Sequence, residues 1–246
     1  MIRFAALSDR GICDNNDDRV MVDGKIISSG SITGECENII LATVCDGVGG
    51  YSFGDAAAQI CSEVMSGLSN KELTMEDIEN AAQNANNSIL QIQKTSPEKK
   101  EMACTLAGIY INKKTDIIFN VGDSRVYRFR NPFLTQLSTD HTEHQAMLDY
   151  NLITADNMES IVSKGSITRC IGRATNNKAT VTESKVFESD IILVCSDGLS
   201  DFINNEEIEE VLAASDDLKT KIQNLFDTAM KKGSNDNISI ILLEVL

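Results

Sequence analysis

Apolar residues along this chain fall into short runs separated by turn residues, and into longer stretches with helical spacing. Arg19–Val22 and Lys25–Ser28 flank Asp23-Gly24, a pair suited to a tight hairpin because both positions tolerate left-handed backbone. Asn38–Cys45 (NIILATVC) is a near-continuous apolar run ended by Asp-Gly and predicts a buried strand. Helices are predicted over Ala56–Leu68 and Met75–Gln93. In the second, Ile78, Ala81, Ala82, Ala85, Ile89 and Ile92 recur at helical spacing behind Thr74 as cap. Short β-branched segments at Cys104–Ile111, Asp116–Val121 and Ser124–Phe129 predict antiparallel hairpins. A polar, partly helical stretch runs from His141 to Ile161. Strands follow at Thr180–Phe187 and Ile191–Cys195, helices at Glu206–Ala213 and Leu218–Lys231, and a last strand at Ile238–Val245. This order of hairpins and helix pairs predicts an α+β fold with stacked antiparallel sheets, not a chain of βαβ units.

Composition narrows the picture. The 246 residues are 42% apolar, enough to bury a sizeable core and too apolar for a disordered chain. With two Pro and no low-complexity linker, one domain over 1–246 is expected. No apolar run is long enough to span a bilayer, and the acids in MIRFAALSDRGICDNNDDR do not suit a signal peptide, so a cytoplasmic protein is expected. The seven Cys form no CxxC pair and sit largely in apolar runs, as buried thiols do in a reducing compartment. A net charge of −15 repels nucleic acid and anionic lipid, so neither is an expected partner.

Four of the acids share a local setting. Asp46 ends NIILATVC, Asp123 lies in NVGDSR between two strands, Asp197 follows IILVC, and Asp236 opens the final strand in SNDNISI. A lone Asp-Gly after a strand is an ordinary turn. Four such junctions at strand ends on one side would bring carboxylates together, and carboxylates that close take up protons unless a cation separates them. Oxygen donors without His or Cys select Mg²⁺ or Mn²⁺. The glycines at 47, 49 and 50 allow backbone to approach such an ion closely, with the Gly47 carbonyl as a further donor. Asp17 and Asp18 in NNDDR could hold metal-bound water or be a solvated loop; spacing leaves both open.

The motifs occur in an order that resembles the metal-dependent protein phosphatases (the PPM, or type 2C, family) in their compact bacterial form. The resemblance is carried by SDRG…NDDR at 8–19, VCDGVGGYSFGDAAA at 44–58, ACTLAGIYI at 103–111 and FNVGDSRVYRF at 119–129. It continues with LSTDHT at 137–142, ITRCIG at 167–172, DIILVCSDGLSDF at 190–202 and GSNDNISIILLEV at 233–245. It implies an α-β-β-α sandwich, two antiparallel sheets between helical layers, and hydrolysis of phosphoserine and phosphothreonine in proteins. It implies Asp46 as the carboxylate bridging two Mn²⁺ or Mg²⁺ ions, Gly47 as a carbonyl ligand, and Asp197 and Asp236 as direct ligands. Asp17 and Asp18 match the pair that holds metal-bound waters, Asp123 a ligand of a third ion, and about 141–167 a variable flap subdomain beside the cleft.

The sequence departs from the family pattern at three places. Cys13 stands where the family often has a phosphate-gripping Arg, and Cys cannot make that bidentate contact; Arg10 or Arg19 could reach instead. Val48 replaces a His of many eukaryotic members. Asp17 replaces Glu. His141 and His144 are the only histidines, and metal-bound water is a better leaving-group acid than either. The expected role is that of a monomeric phosphatase opposing a Ser/Thr protein kinase. Its alternative is a pseudophosphatase that binds phosphoprotein without turnover, a reading prompted by Cys13.

Overall fold

The computed structural model describes residues 1–48, 53–112, 114–153 and 166–246. Two six-stranded antiparallel sheets pack face to face. The first joins β4 (Gly30–Cys36), β1 (Ile2–Asp9), β12 (Ile238–Val245), β11 (Ile191–Cys195), β8 (Arg125–Arg130) and β9 (Phe133–Gln136), in that order. The second joins β10 (Thr180–Ser184), β7 (Asp116–Val121), β6 (Leu106–Ile111), β5 (Ile40–Cys45), β2 (Arg19–Val22) and β3 (Lys25–Ile27).

The core is layered as the predicted sandwich requires. Between the sheets lie Ala6, Val44, Ile109, Val126, Val194 and Ile241. The outer face of the second sheet is covered by α1 (Gly54–Ser66) and α2 (Met75–Thr95), through residues such as Cys61, Met65, Ile78 and Ile89. The outer face of the first is covered by α5 (Asn205–Ala213) and α6 (Leu218–Lys231), through Ile208, Leu212, Ile222 and Leu225. A strand enclosed on both faces has no polar side, which is why β5 reads as an unbroken apolar run and is buried throughout. Helix α2 starts on a reciprocal capping box between Thr74 and Asp77, and α5 on one between Asn204 and Glu207. Asp23 and Gly24 both take positive φ, as the hairpin between β2 and β3 demands.

The structure adds three strands to those predicted: β1, β4 and β9. β1 is a central strand, buried on both faces, but its apolar run is broken by the exposed Arg3 and ends in Ser8-Asp9. β4 and β9 are largely exposed edges: β4 is built mostly from small and polar residues, and β9 has four residues, too few to show a pattern. Within the stretch 141–161, α3 covers Glu143–Asp149 behind a Thr142 cap; 154–165, part of the expected flap, lies outside the described residues, as do Gly49 and Gly50. No described helix is long and apolar enough to cross a membrane.

Candidate metal centre

Strand ends from both sheets meet at one end of the sandwich. Asp46 leaves β5, Asp123 sits in the β7–β8 turn, and Asp236 precedes β12. Asp197 follows β11 and opens the short helix α4 (Asp197–Ser200). The α4 backbone presses against the start of β12, where a Cβ at Gly198 would run into the Asn237 carbonyl.

The four junction carboxylates act on one another, and Asp18 joins them. Burial, followed by the charges of Asp18, Asp197, Asp123 and Asp236, pushes the Asp46 carboxyl well above the usual range. Asp18, 1% exposed, is pushed up to about 7 by burial, with Asp197 and Asp236 adding and hydrogen bonds from Ser239 and Ser196 opposing. Asp123 is raised to about 7 by burial and then Asp197, and Asp197 to about 6 by burial and then Asp236 and Asp201. Asp17 is raised by burial, then by Asp55 and Asp236. A Cβ on Gly47 would lie 2.8 Å from the Asp17 Cβ, which places that glycine against the same acid.

The chemistry of these residues suits a cation. Asp18 Oδ2 and Asp123 Oδ1 are buried with no hydrogen-bond partner, a costly state for a carboxylate oxygen. The donors are all hard oxygens, and the acids are held close enough to favour protons over charge. Both features fit hard divalent ions such as Mn²⁺ or Mg²⁺. Among the described residues no three acidic, His or Cys side chains already close on a single point, so the acids border a cleft without forming a ready-made cage.

A polar scaffold that sequence motifs did not reveal holds the acids in place. Asn237 accepts from Asp17 N at 2.7 Å and donates to the Arg10 and Asn15 carbonyls at 3.1 and 2.9 Å. Asn16 Oδ1 accepts from Asp18 N at 3.1 Å, and its Nδ2 donates to Ser8 Oγ at 2.9 Å. Thr105 N donates to the Asp46 carbonyl at 2.7 Å, and Asp46 N donates to Thr105 Oγ1 at 3.1 Å. The one local signal is the density of Asn beside Asp in NNDD and SNDN.

Arg19 does not reach the cleft as a phosphate grip. Its Nε donates to Gln59 Oε1 at 2.8 Å, and its Nη1 to the Asn16 and Asp18 carbonyls at 3.0 and 2.8 Å, so it braces the acidic loop. Arg10 donates to the Asp14 carbonyl at 3.3 Å on the surface. Cys13 Sγ lies 3.5 Å from the Asn235 carbonyl, and burial with the charges of Asp236 and Asp17 raises its thiol, so it is a poor nucleophile. His141 accepts from Gly122 N through Nδ1 at 3.1 Å, and Nε2 meets Thr180 Oγ1 at 2.9 Å. Burial and the Arg169 charge lower it to about 4, so it is a neutral brace for the turn before Asp123. Val48 lines a cleft of about 880 Å³ together with Asp123, Asp197, Asp201 and Asp236.

A double antiparallel sandwich whose strand ends present carboxylates to one cleft defines a narrow structural class, and the comparisons agree with it. The model of the family Protein phosphatase 2C matches residues 29–242, and the chain belongs to that family. Asp46, Asp123, Asp197 and Asp236 lie inside the matched span; Asp17 and Asp18 lie outside it. The serine/threonine protein phosphatase PstP of Mycobacterium tuberculosis is 27% identical over 251 residues, covering 100% of this chain and 45% of that protein. The chain thus spans about half the length of that relative. The serine/threonine phosphatase stp of Listeria monocytogenes is 28% identical over 223 residues, covering 88% of each. The catalytic domain of the serine/threonine protein phosphatase PstP, solved in complex with two manganese ions, superposes with a TM-score of 0.81 at 28% identity, covering 100% of this chain and 98% of that one.

Proposed function

We propose that this chain is a protein serine/threonine phosphatase that hydrolyses phosphoserine and phosphothreonine with divalent metal. The observation that carries this is the convergence of Asp46 with Asp18, Asp123, Asp197 and Asp236 from separate strand ends. Asp46, the Gly47 carbonyl, Asp197 and Asp236 would hold two ions directly, Asp17 and Asp18 through water, and Asp123 would serve a third. Mn²⁺ in the PstP catalytic domain supports that metal here. Bound Mn²⁺ or Mg²⁺ supplies a water of lowered pKa and offsets phosphoryl charge.

The chain's own groups do the rest. The Asp46 backbone is held by its paired hydrogen bonds with Thr105, so the stem of its side chain is positioned before substrate arrives. Asp18 is set by Ser196, Ser239 and Asn16. His141, neutral at pH 7, carries no extra proton to give the leaving oxygen, which leaves that role to water. No thiol is placed as a nucleophile, since burial raises Cys13, Cys104 and Cys195, and a hydrogen bond with Cys61 followed by burial raises Cys45.

Residues 1–246 would work as one catalytic domain, with a flap at about 141–167. Its substrates would be phosphorylated proteins, its opposite a Ser/Thr kinase, its state monomeric and its place the cytoplasm. The pseudophosphatase alternative rests on Cys13 alone, whereas the similarity to serine/threonine phosphatases supports turnover, which is the reading retained. Purified protein with Mn²⁺ should hydrolyse p-nitrophenyl phosphate and a phosphothreonine peptide. Activity undiminished by excess EDTA, or by Asp46→Asn, would overturn the assignment.

A further inference from the structure

In a cleft lined by Asp123, Asp197, Asp201 and Asp236, bound metal would offset part of the charge of a phosphate dianion, and a basic side chain in the wall would add to it. Of the described residues that line it, Arg173 is the one with a basic side chain. Burial raises the Cys170 thiol beside it, with the Arg173 guanidinium opposing and the Asp123 charge adding, so Arg173 acts on the same side chain as one of the acids.

The backbone beneath Arg173 is fixed from several sides. Gly172 N and Arg173 N both donate to Asn86 Oδ1 of helix α2, at 2.7 and 3.1 Å. Gln93, further along the same helix, donates to the Gly172 carbonyl at 2.9 Å and the Met102 carbonyl at 2.8 Å. Ile171 and Cys104 exchange backbone hydrogen bonds at 2.9 and 3.0 Å. Gly172 takes φ +102°, and a Cβ there would lie 2.6 Å from the Met102 carbonyl.

Asn86 is unusual in its own element. It is fully buried on the otherwise apolar face of α2, and its Nδ2 has no hydrogen-bond partner. A buried amide with one unsatisfied end lowers stability. Its acceptor oxygen instead determines where Arg173 leaves the turn. That arrangement is understandable if the exit of this side chain into the cleft has a use.

We propose that Arg173 holds the phosphoryl group of the substrate, and that Asn86 and Gln93 are its positioning residues. The inference rests on the phosphatase reading above. A guanidinium offers paired N–H donors in a plane that matches two phosphoryl oxygens, and it stays charged at every working pH. Lysine offers one point charge, so it can replace only part of the contact.

The test is steady-state kinetics with Mn²⁺ on a phosphothreonine peptide, with inorganic phosphate as competing ligand. In Arg173→Met, KM and the inhibition constant for phosphate should both rise about tenfold, the size of a lost charged hydrogen bond, with kcat changed less than threefold. Arg173→Lys should fall between it and wild type. Asn86→Ala should raise KM in the same direction, because the exit of the side chain is no longer fixed. Unchanged KM and phosphate inhibition in Arg173→Met would overturn the proposal, as would a lowered melting temperature with intact kinetics. If Arg173→Met does not fold, Arg173→Lys decides: a KM equal to wild type overturns it. Wild-type protein that hydrolyses nothing with Mn²⁺ refutes the underlying phosphatase reading, whereas an active wild type with an indifferent Arg173→Met refutes this inference alone.

Discussion

Thr105 and Asp46 exchange two hydrogen bonds: Thr105 N donates to the Asp46 carbonyl at 2.7 Å, and Asp46 N donates to Thr105 Oγ1 at 3.1 Å. The same hydroxyl meets Ser124 Oγ at 2.6 Å, so one side chain ties the turn carrying Asp46 to the turn carrying Asp123. Thr105→Val keeps the shape and removes the hydroxyl. It should lower stability by about 1–3 kcal/mol, because the Asp46 N–H loses its acceptor. It should also reduce kcat/KM. Thermal melts and Mn²⁺-dependent peptide hydrolysis check both; wild-type values in each would show that the hydroxyl positions nothing.

Asp46 is held at a cost in the absence of cation, since burial first and then the charges of Asp18, Asp197, Asp123 and Asp236 disfavour its ionised form. Asp46→Asn should therefore raise the melting temperature of the metal-free protein while removing catalysis and weakening Mn²⁺ binding. Calorimetric titration with Mn²⁺ and melts in EDTA read the two effects separately. A metal-free mutant less stable than wild type would refute the repulsion argument.

The pH dependence follows in sign. Folding raises Asp18 and Asp123 to about 7 and Asp197 to about 6, above the unfolded value near 4. The folded state therefore binds more protons than the unfolded state between about pH 4 and 7, and its stability falls as pH rises through that window. In EDTA the melting temperature should drop from pH 5 to pH 8, and less steeply in Asp18→Asn. Saturating Mn²⁺ should abolish most of the drop. A metal-free protein that becomes more stable over the same range would contradict the shifts.

His141 should prove a brace and not an acid. His141→Asn retains an acceptor for Gly122 N, and should keep kcat within a few-fold with an unchanged acid limb in the pH–rate profile. His141→Leu removes the acceptor and should lower stability by about 1–3 kcal/mol. An acid limb that disappears in His141→Asn would return the residue to the chemistry.

Much of the fold was legible because its signals are local. β5 announces itself as an apolar run closed by Asp-Gly, and α2 through its spacing and the Thr74–Asp77 cap. β1 escaped because its apolar run is broken by the exposed Arg3 and ends in Ser8-Asp9, and β4 because an exposed edge has no apolar face to display. At the site, the junction acids could be picked out one by one, and the structure brings them together with Asp18. Their supports could not be picked out. Asn237 and Asp17 are 220 positions apart, Asn86 and Gly172 are 86, and nothing in a linear pattern joins them. The real use of Arg19 was hidden in another way: its donors are consumed by carbonyls of its own loop, which look like any other backbone in sequence, and by the distant Gln59.

The pairing of β1 with β12 sets the timing of assembly. The loop bearing Asp17 and Asp18 is anchored by Asn237, and Asp236 is that residue's neighbour, so these acids gain their places only when the last strand docks. Contacts that far apart in sequence form late, after a large loss of chain freedom. A ribosome-bound chain lacking β12 would carry Asp46, Asp123 and Asp197 yet have no finished cleft. Synthesis itself would thus keep this domain silent until β12 has left the ribosome.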